Sequence, residues 1–108
     1  MKKNVPKMDR VIAGVGGYLL LGLFWAMPLY LVHILTPNSI ISLIDEEAIS
    51  RSEILYFSFV SLTTLGYGDI VPNSPFARVI AMFVSLSGVL YLAIFISALI
   101  GSPREPRK

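Results

Sequence analysis

Gly66 and Gly68 stand two residues apart in the stretch Gly66-Tyr67-Gly68, and this spacing suits chemistry by main-chain oxygens. In an ordinary strand, successive side chains and carbonyl groups alternate between opposite sides. The carbonyl groups can all point to one side if alternate residues adopt left-handed backbone angles, which glycine does at little cost. This stretch can therefore line a narrow tube with hard, neutral oxygens. Rings of such oxygens can replace the hydration shell of an alkali cation.

One chain supplies only one side of each oxygen ring. Such rings close around an ion when four chains meet at a central axis, and the sequence holds a single Gly-Tyr-Gly stretch. We therefore predict a homotetramer with cyclic symmetry. The expected ion-binding residues are Thr64, Leu65, Gly66, Tyr67 and Gly68. Within this set, the carbonyl groups of residues 64–67 form the rings, and the Thr64 hydroxyl joins them at the inner end.

Two long uncharged stretches flank this segment. Residues 11–35 and 79–101 contain no Asp, Glu, Lys or Arg, and each can form a helix that crosses the roughly 30 Å hydrocarbon core. Residues 54–65, between Glu53 and the Gly66-Tyr67-Gly68 stretch, are also uncharged and number only 12, which suits a re-entrant segment. Backbone at membrane depth must satisfy its own polar groups, be buried in protein or line a wet cavity. We therefore predict a short helix here, after which the chain returns through residues 64–69.

Composition and charge also indicate a membrane protein. Apolar residues make up 55% of the chain and charged residues 15%, against about 25% charged in soluble domains. There are no cysteines, which excludes disulfides and thiolate metal sites. Lys and Arg number four before the first span, three after the second and two, Arg51 and Arg78, between them. This bias predicts a multi-pass protein of the plasma membrane with both termini in the cytoplasm.

The run Thr63-Thr64-Leu65-Gly66-Tyr67-Gly68-Asp69 resembles the selectivity filter of the potassium channel superfamily. The order of the segments over residues 11–101 is similar to the two-transmembrane, prokaryotic-type pore domain of that superfamily. The resemblance implies a passive potassium-selective channel that conducts dehydrated K⁺ through rings of backbone carbonyls at a fourfold axis. K⁺ is then the permeant ion, and no organic cofactor is expected. It also implies that five residues support the filter: Thr63, Asp69, Tyr56, Phe57 and Val60.

The chain departs from the superfamily pattern beside the filter. Leu65 stands where the family most often has valine, and Val60 stands where some relatives carry a buried glutamate. Tyr56 and Phe57 occupy positions where others have tryptophans. We hypothesise that the Tyr56 hydroxyl forms a hydrogen bond to Asp69 across a subunit edge. The alternative is that Tyr56 is one of the aromatic residues that sit at membrane interfaces.

The predicted fold is an all-α membrane protein in which two transmembrane helices flank a re-entrant pore helix and an extended selectivity filter, assembled as a tetramer. The predicted segments, in chain order, are a basic cytoplasmic N-terminus (1–10), the outer helix (11–35), a turret (36–51), the pore helix (52–63), the filter (64–69), the inner helix (78–101) and a basic cytoplasmic tail (102–108).

Caps and polar residues within the helices give further predictions. Ser52 is the predicted N-cap of the pore helix, and Glu53 favours its positive N-terminal end. The C-terminal end near Thr63 would direct partial negative charge toward a central cavity. Three serines of the inner helix can hydrogen-bond their own helix backbone and need no further role: Ser85, Ser87 and Ser97.

One face of the inner helix is predicted to line the inner pore, where a ring of apolar side chains can close by dewetting. Its residues recur at i, i+3, i+7 and i+11: Val89, Leu92, Ile96 and Ile100. Gly88 matches a position at which related inner helices have a bending glycine, so the resemblance implies a gating hinge there. The alternative for Gly88 is close packing by a residue without a side chain.

Three other functions stay open at this point. A non-selective cation channel on the same scaffold is disfavoured by the intact Gly-Tyr-Gly-Asp sequence. A subunit of a potassium uptake transporter is disfavoured by the single filter copy. A small accessory membrane protein would make the filter sequence a coincidence.

Other classes of function find no support in the sequence. We find no nucleophile paired with a base, no phosphate-binding loop and no basic aromatic surface, so we expect neither an enzyme nor a nucleic-acid partner. The expected partners are membrane lipid and identical subunits. The sequence has no arginine-rich voltage-sensing helix, which leaves room for a regulatory domain or subunit that is not present in this chain.

Overall fold

The structure is a computed structural model that describes residues 7–44 and 47–101. Its elements are the helices α1 (Lys7–Leu35), α2 (Arg51–Leu62) and α3 (Pro75–Ile100) and the strands β1 (Ile40–Ser42) and β2 (Ile70–Pro72). Both α1, with 29 residues, and α3, with 26, are long and apolar enough to cross a membrane. The 12-residue α2 packs against both of them. The predicted helical membrane fold is thus confirmed. Residues 1–6, 45–46 and 102–108, which include both predicted terminal segments in large part, lie outside the described residues.

The two long helices extend beyond their uncharged stretches. Helix α1 begins at Lys7 and runs without interruption through Pro28 to Leu35. Helix α3 begins at Pro75, three residues before its predicted start, because Ser74 caps it by accepting a hydrogen bond from the Ala77 N–H at 3.1 Å. Proline at the first helical position favours the same start, since its missing N–H would be unpaired there anyway.

The N-cap of α2 is Ser50, and the prediction of Ser52 was wrong. Ser50 forms a capping box with Glu53: the Glu53 N–H donates to Ser50 Oγ at 3.3 Å, and the Ser50 N–H donates to Glu53 Oε1 at 2.9 Å. This reciprocal pairing needs a glutamate three residues after the cap. The spacing of Ser50 and Glu53 in the sequence carried that signal, whereas Ser52 lies directly beside Glu53.

A two-stranded antiparallel ribbon, which the sequence analysis did not predict, joins the connections on either side of α2. Strand β1 pairs with β2 in the register Ile40–Pro72, Ile41–Val71 and Ser42–Ile70. Beyond the ribbon, the Asn73 N–H donates to the Ser39 carbonyl at 2.6 Å. Strands of three residues are too short to show the alternation by which strands are recognised.

Glycines allow the three helices to approach closely. A Cβ atom at Gly22 of α1 would overlap the ring of Phe59 on α2, and a Cβ at Gly88 of α3 would overlap the backbone carbonyl of Leu62. Gly22 and Gly88 are both buried. Side chains at these positions would push α2 away from its neighbours, since packed interiors have little free volume.

Hydroxyl groups cross-link the helices where they touch. The buried Ser58 of α2 donates to the Gly22 carbonyl at 2.7 Å, and Ser85 of α3 donates to the Ser61 carbonyl at 2.8 Å. The interpretation that Ser85 needs no role beyond its own helix was therefore wrong. Ser87 does donate to the Val84 carbonyl, as predicted, but it also accepts a hydrogen bond from Trp25 Nε1 at 2.8 Å. Sequence alone gave no sign of these bonds, because their partners lie on other elements.

We predict that Gly88→Ala destabilises the fold, because its methyl group would meet the Leu62 carbonyl. Overpacking of this kind costs about 1–3 kcal/mol, so the thermal unfolding midpoint of the purified protein in detergent should fall. The matched control is Gly16→Ala, since a Cβ at Gly16 has no neighbour within 4 Å and alanine favours a helix by up to about 1 kcal/mol. An unchanged midpoint for Gly88→Ala would contradict the contact.

Candidate ion-binding site

The predicted filter has left-handed backbone angles at alternate residues. The φ angles are +59° at Thr64, +58° at Gly66 and +87° at Gly68. The two glycines therefore have the conformation that their spacing suggested. Thr64 was not expected to share it, because a left-handed angle is unfavourable for a β-branched residue.

The end of α2 explains the angle at Thr64. Thr63 is the C-cap, the Thr64 N–H donates to the Ser61 carbonyl at 3.0 Å, and the Leu65 N–H donates to the Val60 carbonyl at 2.9 Å. These two bonds form a Schellman motif, in which the residue after the C-cap is left-handed and is usually glycine. The motif thus ends the helix and begins the alternation of the predicted filter at the same residue.

Tyr56 and Asp69 connect α2 to the outer end of the predicted filter. The Tyr56 hydroxyl donates to Asp69 Oδ2 at 2.8 Å, and the Ile70 N–H donates to Asp69 Oδ1 at 2.9 Å. The Tyr56 and Tyr67 rings stack with their centroids 6.4 Å apart. The hypothesised hydrogen bond exists, but it lies within one chain and does not cross a subunit edge. The reason is that the returning segment runs back alongside α2.

This hydrogen bond extends the pH range over which Tyr56 stays protonated. Hydrogen bonding to the Asp69 side chain, with smaller effects of desolvation and of the Asp69 and Tyr67 charges, raises the pKa of Tyr56 to about 12. The hydroxyl therefore keeps its proton and stays a donor at all pH values near neutrality. The support that it gives to Asp69 would be lost only as the pH rises toward about 12.

Two of the other predicted support residues, Phe57 and Val60, lie on the side of α2 that faces the returning chain. Phe57 and Val60 are buried, and Thr63 Oγ1 donates to the Phe59 carbonyl at 2.8 Å. Phe57 and Val60 line a cavity of about 380 Å³ behind residues 64–68. Val60 supports the predicted filter through its main-chain carbonyl, which accepts the Leu65 N–H. This role does not depend on the side chain, so the residue type does not indicate it.

Residues 64–68 themselves are exposed on the single chain. Leu65 is 54% and Tyr67 is 67% accessible. The Thr64 hydroxyl donates to the Thr63 carbonyl at 2.6 Å, which leaves its oxygen lone pairs as acceptors. The predicted ligands therefore lie on a surface that this chain alone does not cover.

The four predicted pore-lining residues of α3 share this exposure. Val89, Leu92, Ile96 and Ile100 are all accessible on the single chain. The opposite side of α3 contacts the remainder of the chain: Val84 and Gly88 are buried, and the Tyr91 hydroxyl donates to the Gly14 carbonyl at 2.7 Å. The predicted hinge, Gly88, thus lies in the contact with α2 and not on the exposed face.

Two hydroxyl groups for which the sequence holds no local signal pair with the last carbonyl groups of α2. The Ser61 carbonyl accepts from Ser85, and the Leu62 carbonyl accepts from the Tyr18 hydroxyl at 3.4 Å. The Ser61 carbonyl thus accepts a second hydrogen bond besides the one from the Thr64 N–H, and the Leu62 carbonyl belongs to the last turn, whose carbonyl groups have no partner within the helix. Tyr18 lies 44 residues from its partner along the chain, so no local pattern could have identified the bond.

Two membrane-length helices, a short helix between them and an exposed return with alternating left-handed angles define a membrane protein of the pore-loop type. The family model described as "Ion channel" matches residues 17–103. The chain belongs to this family, and the resemblance to its two-transmembrane pore domains is confirmed.

Several curated proteins are similar to the chain. A "Voltage-gated potassium channel" of Aeropyrum pernix is 36% identical over 81 residues, which are 75% of this chain and 25% of the relative. "Potassium channel subfamily K member 4" of Rattus norvegicus is 39% identical over 69 residues, or 58% of this chain and 17% of the relative. The "Calcium-gated potassium channel TvoK" of Thermoplasma volcanium is 46% identical over 35 residues, or 32% and 10%. The chain thus spans a quarter or less of these relatives. No solved structure matches significantly.

We predict that Tyr56→Phe destabilises the outer end of the predicted filter, because Asp69 loses its hydroxyl donor. In an electrical recording of the K⁺ current under a steady activating stimulus, the current should decay at least several-fold faster than in the wild type. Tyr30→Phe is the matched control, because the Tyr30 hydroxyl makes no hydrogen bond to any residue that the structure describes. Unchanged decay in Tyr56→Phe would show that this hydrogen bond does not hold the conducting state.

Proposed function

We propose that the chain is one subunit of a passive, potassium-selective channel of the plasma membrane. The observation that carries the proposal is the alternation of left-handed angles at Thr64, Gly66 and Gly68. This alternation is what allows consecutive carbonyl groups to face one side. The names of the relatives, which are potassium channels, give the class of ion.

In this proposal, the permeating K⁺ sheds its water for the carbonyl oxygens of residues 64–67 and the Thr64 hydroxyl. Four identical chains surround the axis, and each supplies one side of every oxygen ring. The exposure of Leu65 and Tyr67 on the single chain supports such an assembly, because neighbouring subunits would cover them. The proposed ion is a permeant substrate and is not retained as a cofactor.

The pore helix, α2, and the inner helix, α3, have supporting roles in this proposal. The C-terminal end of α2 directs its dipole toward the axis and favours a cation there. The hydroxyl groups of Ser85 and Tyr18, which donate to the last carbonyls of α2, hold that end in position. The exposed apolar face of α3 lines the inner pore and closes it by dewetting.

Gly88 is proposed to combine a packing role with hinge bending. Its contact with the Leu62 carbonyl means that a bend at Gly88 would move α3 against the end of α2. Opening of the inner gate and the position of the predicted filter would then be coupled. Both termini are proposed to lie in the cytoplasm, following the distribution of Lys and Arg.

Reconstitution tests the proposed function directly. Purified protein in liposomes should conduct K⁺ down its gradient, with Ba²⁺ blocking the flux and Na⁺ failing to replace K⁺. Equal K⁺ and Na⁺ fluxes would favour the non-selective channel. A complete lack of flux in correctly folded, tetrameric protein would favour an accessory role.

We predict that Gly68→Ala abolishes selective flux, although a methyl group there would meet nothing within 4 Å. The reason is conformational, because a left-handed angle costs an L-residue about 1–2 kcal/mol in each subunit. Liposome K⁺ flux should fall by at least about tenfold, with tetramer yield unchanged. Gly16→Ala, where the added methyl group also has open space but the backbone is helical, should retain flux. Wild-type flux in Gly68→Ala would contradict the carbonyl alignment.

A further inference from the structure

A cavity at the C-terminal end of α1 lies outside the proposed conduction path and is lined by the one histidine of the chain, His33. Its volume is about 470 Å³, and it lies between the end of α1, strand β1 and the segment before α2. Glu47 lines the same cavity. Histidine is the side chain type that ordinarily changes its charge between about pH 5 and 8. The cavity therefore combines a proton-binding group with a carboxylate.

The position of the His33 ring suits its neutral form. The Nδ1 atom is buried and has no hydrogen-bond partner among the described residues. In a neutral imidazole this nitrogen can be the one without a proton, so that only an acceptor is left unpaired. A charged imidazole carries an N–H on both nitrogens, and a buried charged donor without a partner is costly. The charged ring therefore has to move until the Nδ1 N–H meets an acceptor.

Acceptors for the charged ring are present around the cavity. His33 belongs to the last turn of α1, where carbonyl groups have no partner within the helix and where the helix dipole favours a cation. Glu47 supplies a carboxylate, whereas the carboxylate of Glu53 already accepts the Ser50 N–H. The strand β1, with the sequence Ile-Ile-Ser, has no titratable group. Among the described residues, Glu47 is thus the anion toward which a charged ring would move.

The ring of Tyr30 connects His33 to the beginning of the pore helix. The His33 and Tyr30 ring centroids are 6.3 Å apart, with their planes tilted by 35°. The guanidinium carbon of Arg51, the first residue of α2, lies 5.7 Å from the centroid of the same Tyr30 ring. An aromatic ring holds a cation by the negative potential of its face. A proton on His33 would place a second cation beside this ring and repel the first.

We propose that His33 is a proton-operated switch, in which charging of the imidazole displaces it from Tyr30 toward Glu47 and releases Arg51 from the Tyr30 ring. The side from which protons act rests on the proposed function: with both termini in the cytoplasm, the cavity faces the exterior. Release of Arg51 loosens the first turn of α2, the helix that holds the predicted filter. External acid therefore lowers the K⁺ current. The full current is present while His33 is neutral and is lost as the pH falls.

Single-channel recording in planar bilayers tests the switch, with EDTA in both chambers so that only the proton concentration varies. Acidifying one chamber from about pH 8 to about pH 5 should lower the wild-type open probability at least about threefold, whereas acidifying the other should not. His33→Gln keeps an N–H donor but cannot be charged, so it should retain the high-pH current at both pH values. Undiminished acid inhibition in His33→Gln, or inhibition from both chambers, would overturn the proposal.

Three further variants test the path from the ring to the pore helix. Arg51→Gln should lose most of the acid inhibition, because the cation on the Tyr30 ring is gone. Arg78→Gln, which removes an arginine outside these contacts, is the matched control and should be inhibited as the wild type is. Glu47→Gln should move the midpoint of inhibition to lower pH, because the displaced ring loses its anionic acceptor. Equal inhibition in Arg51→Gln and the wild type would show that the signal does not pass through Tyr30.

NMR spectroscopy reports the switch without any conduction, because the chain has a single histidine. In protein with labelled histidine and tyrosine, the ring signals of His33 and Tyr30 should change with one common pH midpoint. The Tyr30 signals are assigned by their absence in Tyr30→Phe. A His33 ring that titrates while the Tyr30 signals stay constant would overturn the proposal. Joint titration in a protein that fails to conduct K⁺ would count against the proposed channel and for the switch.

Discussion

The close contact of α2 with both long helices is the constraint on which the structure depends. A helix of 12 residues cannot cross a membrane, so its ends and its polar groups must be accommodated by protein. Gly22 and Gly88 provide the space, since larger residues at either position would collide with Phe59 or with the Leu62 carbonyl. Ser58 adds a buried hydrogen bond to α1. The contacts together fix the depth and direction of the helix.

Once α2 is fixed, the path of the returning chain follows from how the helix ends. The Schellman motif places Thr64 in a left-handed conformation and turns the chain back. At the other end, Asp69 binds the Tyr56 hydroxyl through its side chain, and its carbonyl group accepts the Leu43 N–H at 2.7 Å. The predicted filter is therefore held at both ends by α2 and the ribbon. The segment between, residues 65–68, is exposed on the single chain, and in the proposed tetramer neighbouring subunits would cover it.

The two long helices are linked to each other as well as to α2. Trp25 donates to Ser87, and Tyr91 donates to the Gly14 carbonyl. Ser87 and Tyr91 lie on either side of Gly88, so a bend of α3 at that glycine has to move α1 with it or break one of these bonds. Hydrogen bonds of this kind contribute about 1–2 kcal/mol or less in membranes, which is small enough for a gating motion to exchange them. A bend at Gly88 would therefore either carry the outer helix with it or exchange one of these hydrogen bonds.

The sequence by itself determined the two spans, the re-entrant helix, the glycine alternation and the class of protein. These features follow from local properties: the length of uncharged runs, the conformational freedom of glycine and a contiguous seven-residue motif. It could also have identified Ser50 as the cap, because the partner residue is three positions away. The left-handed Thr64 also follows from a local motif, the bonds to the Ser61 and Val60 carbonyls, but a threonine is not the residue by which that motif is recognised. Only the tertiary structure decided the partners of Tyr18, Ser58 and Ser85 and the short ribbon. Each of these requires groups that are distant in the chain to meet, and the distances between them are set by helix packing, which no local pattern encodes.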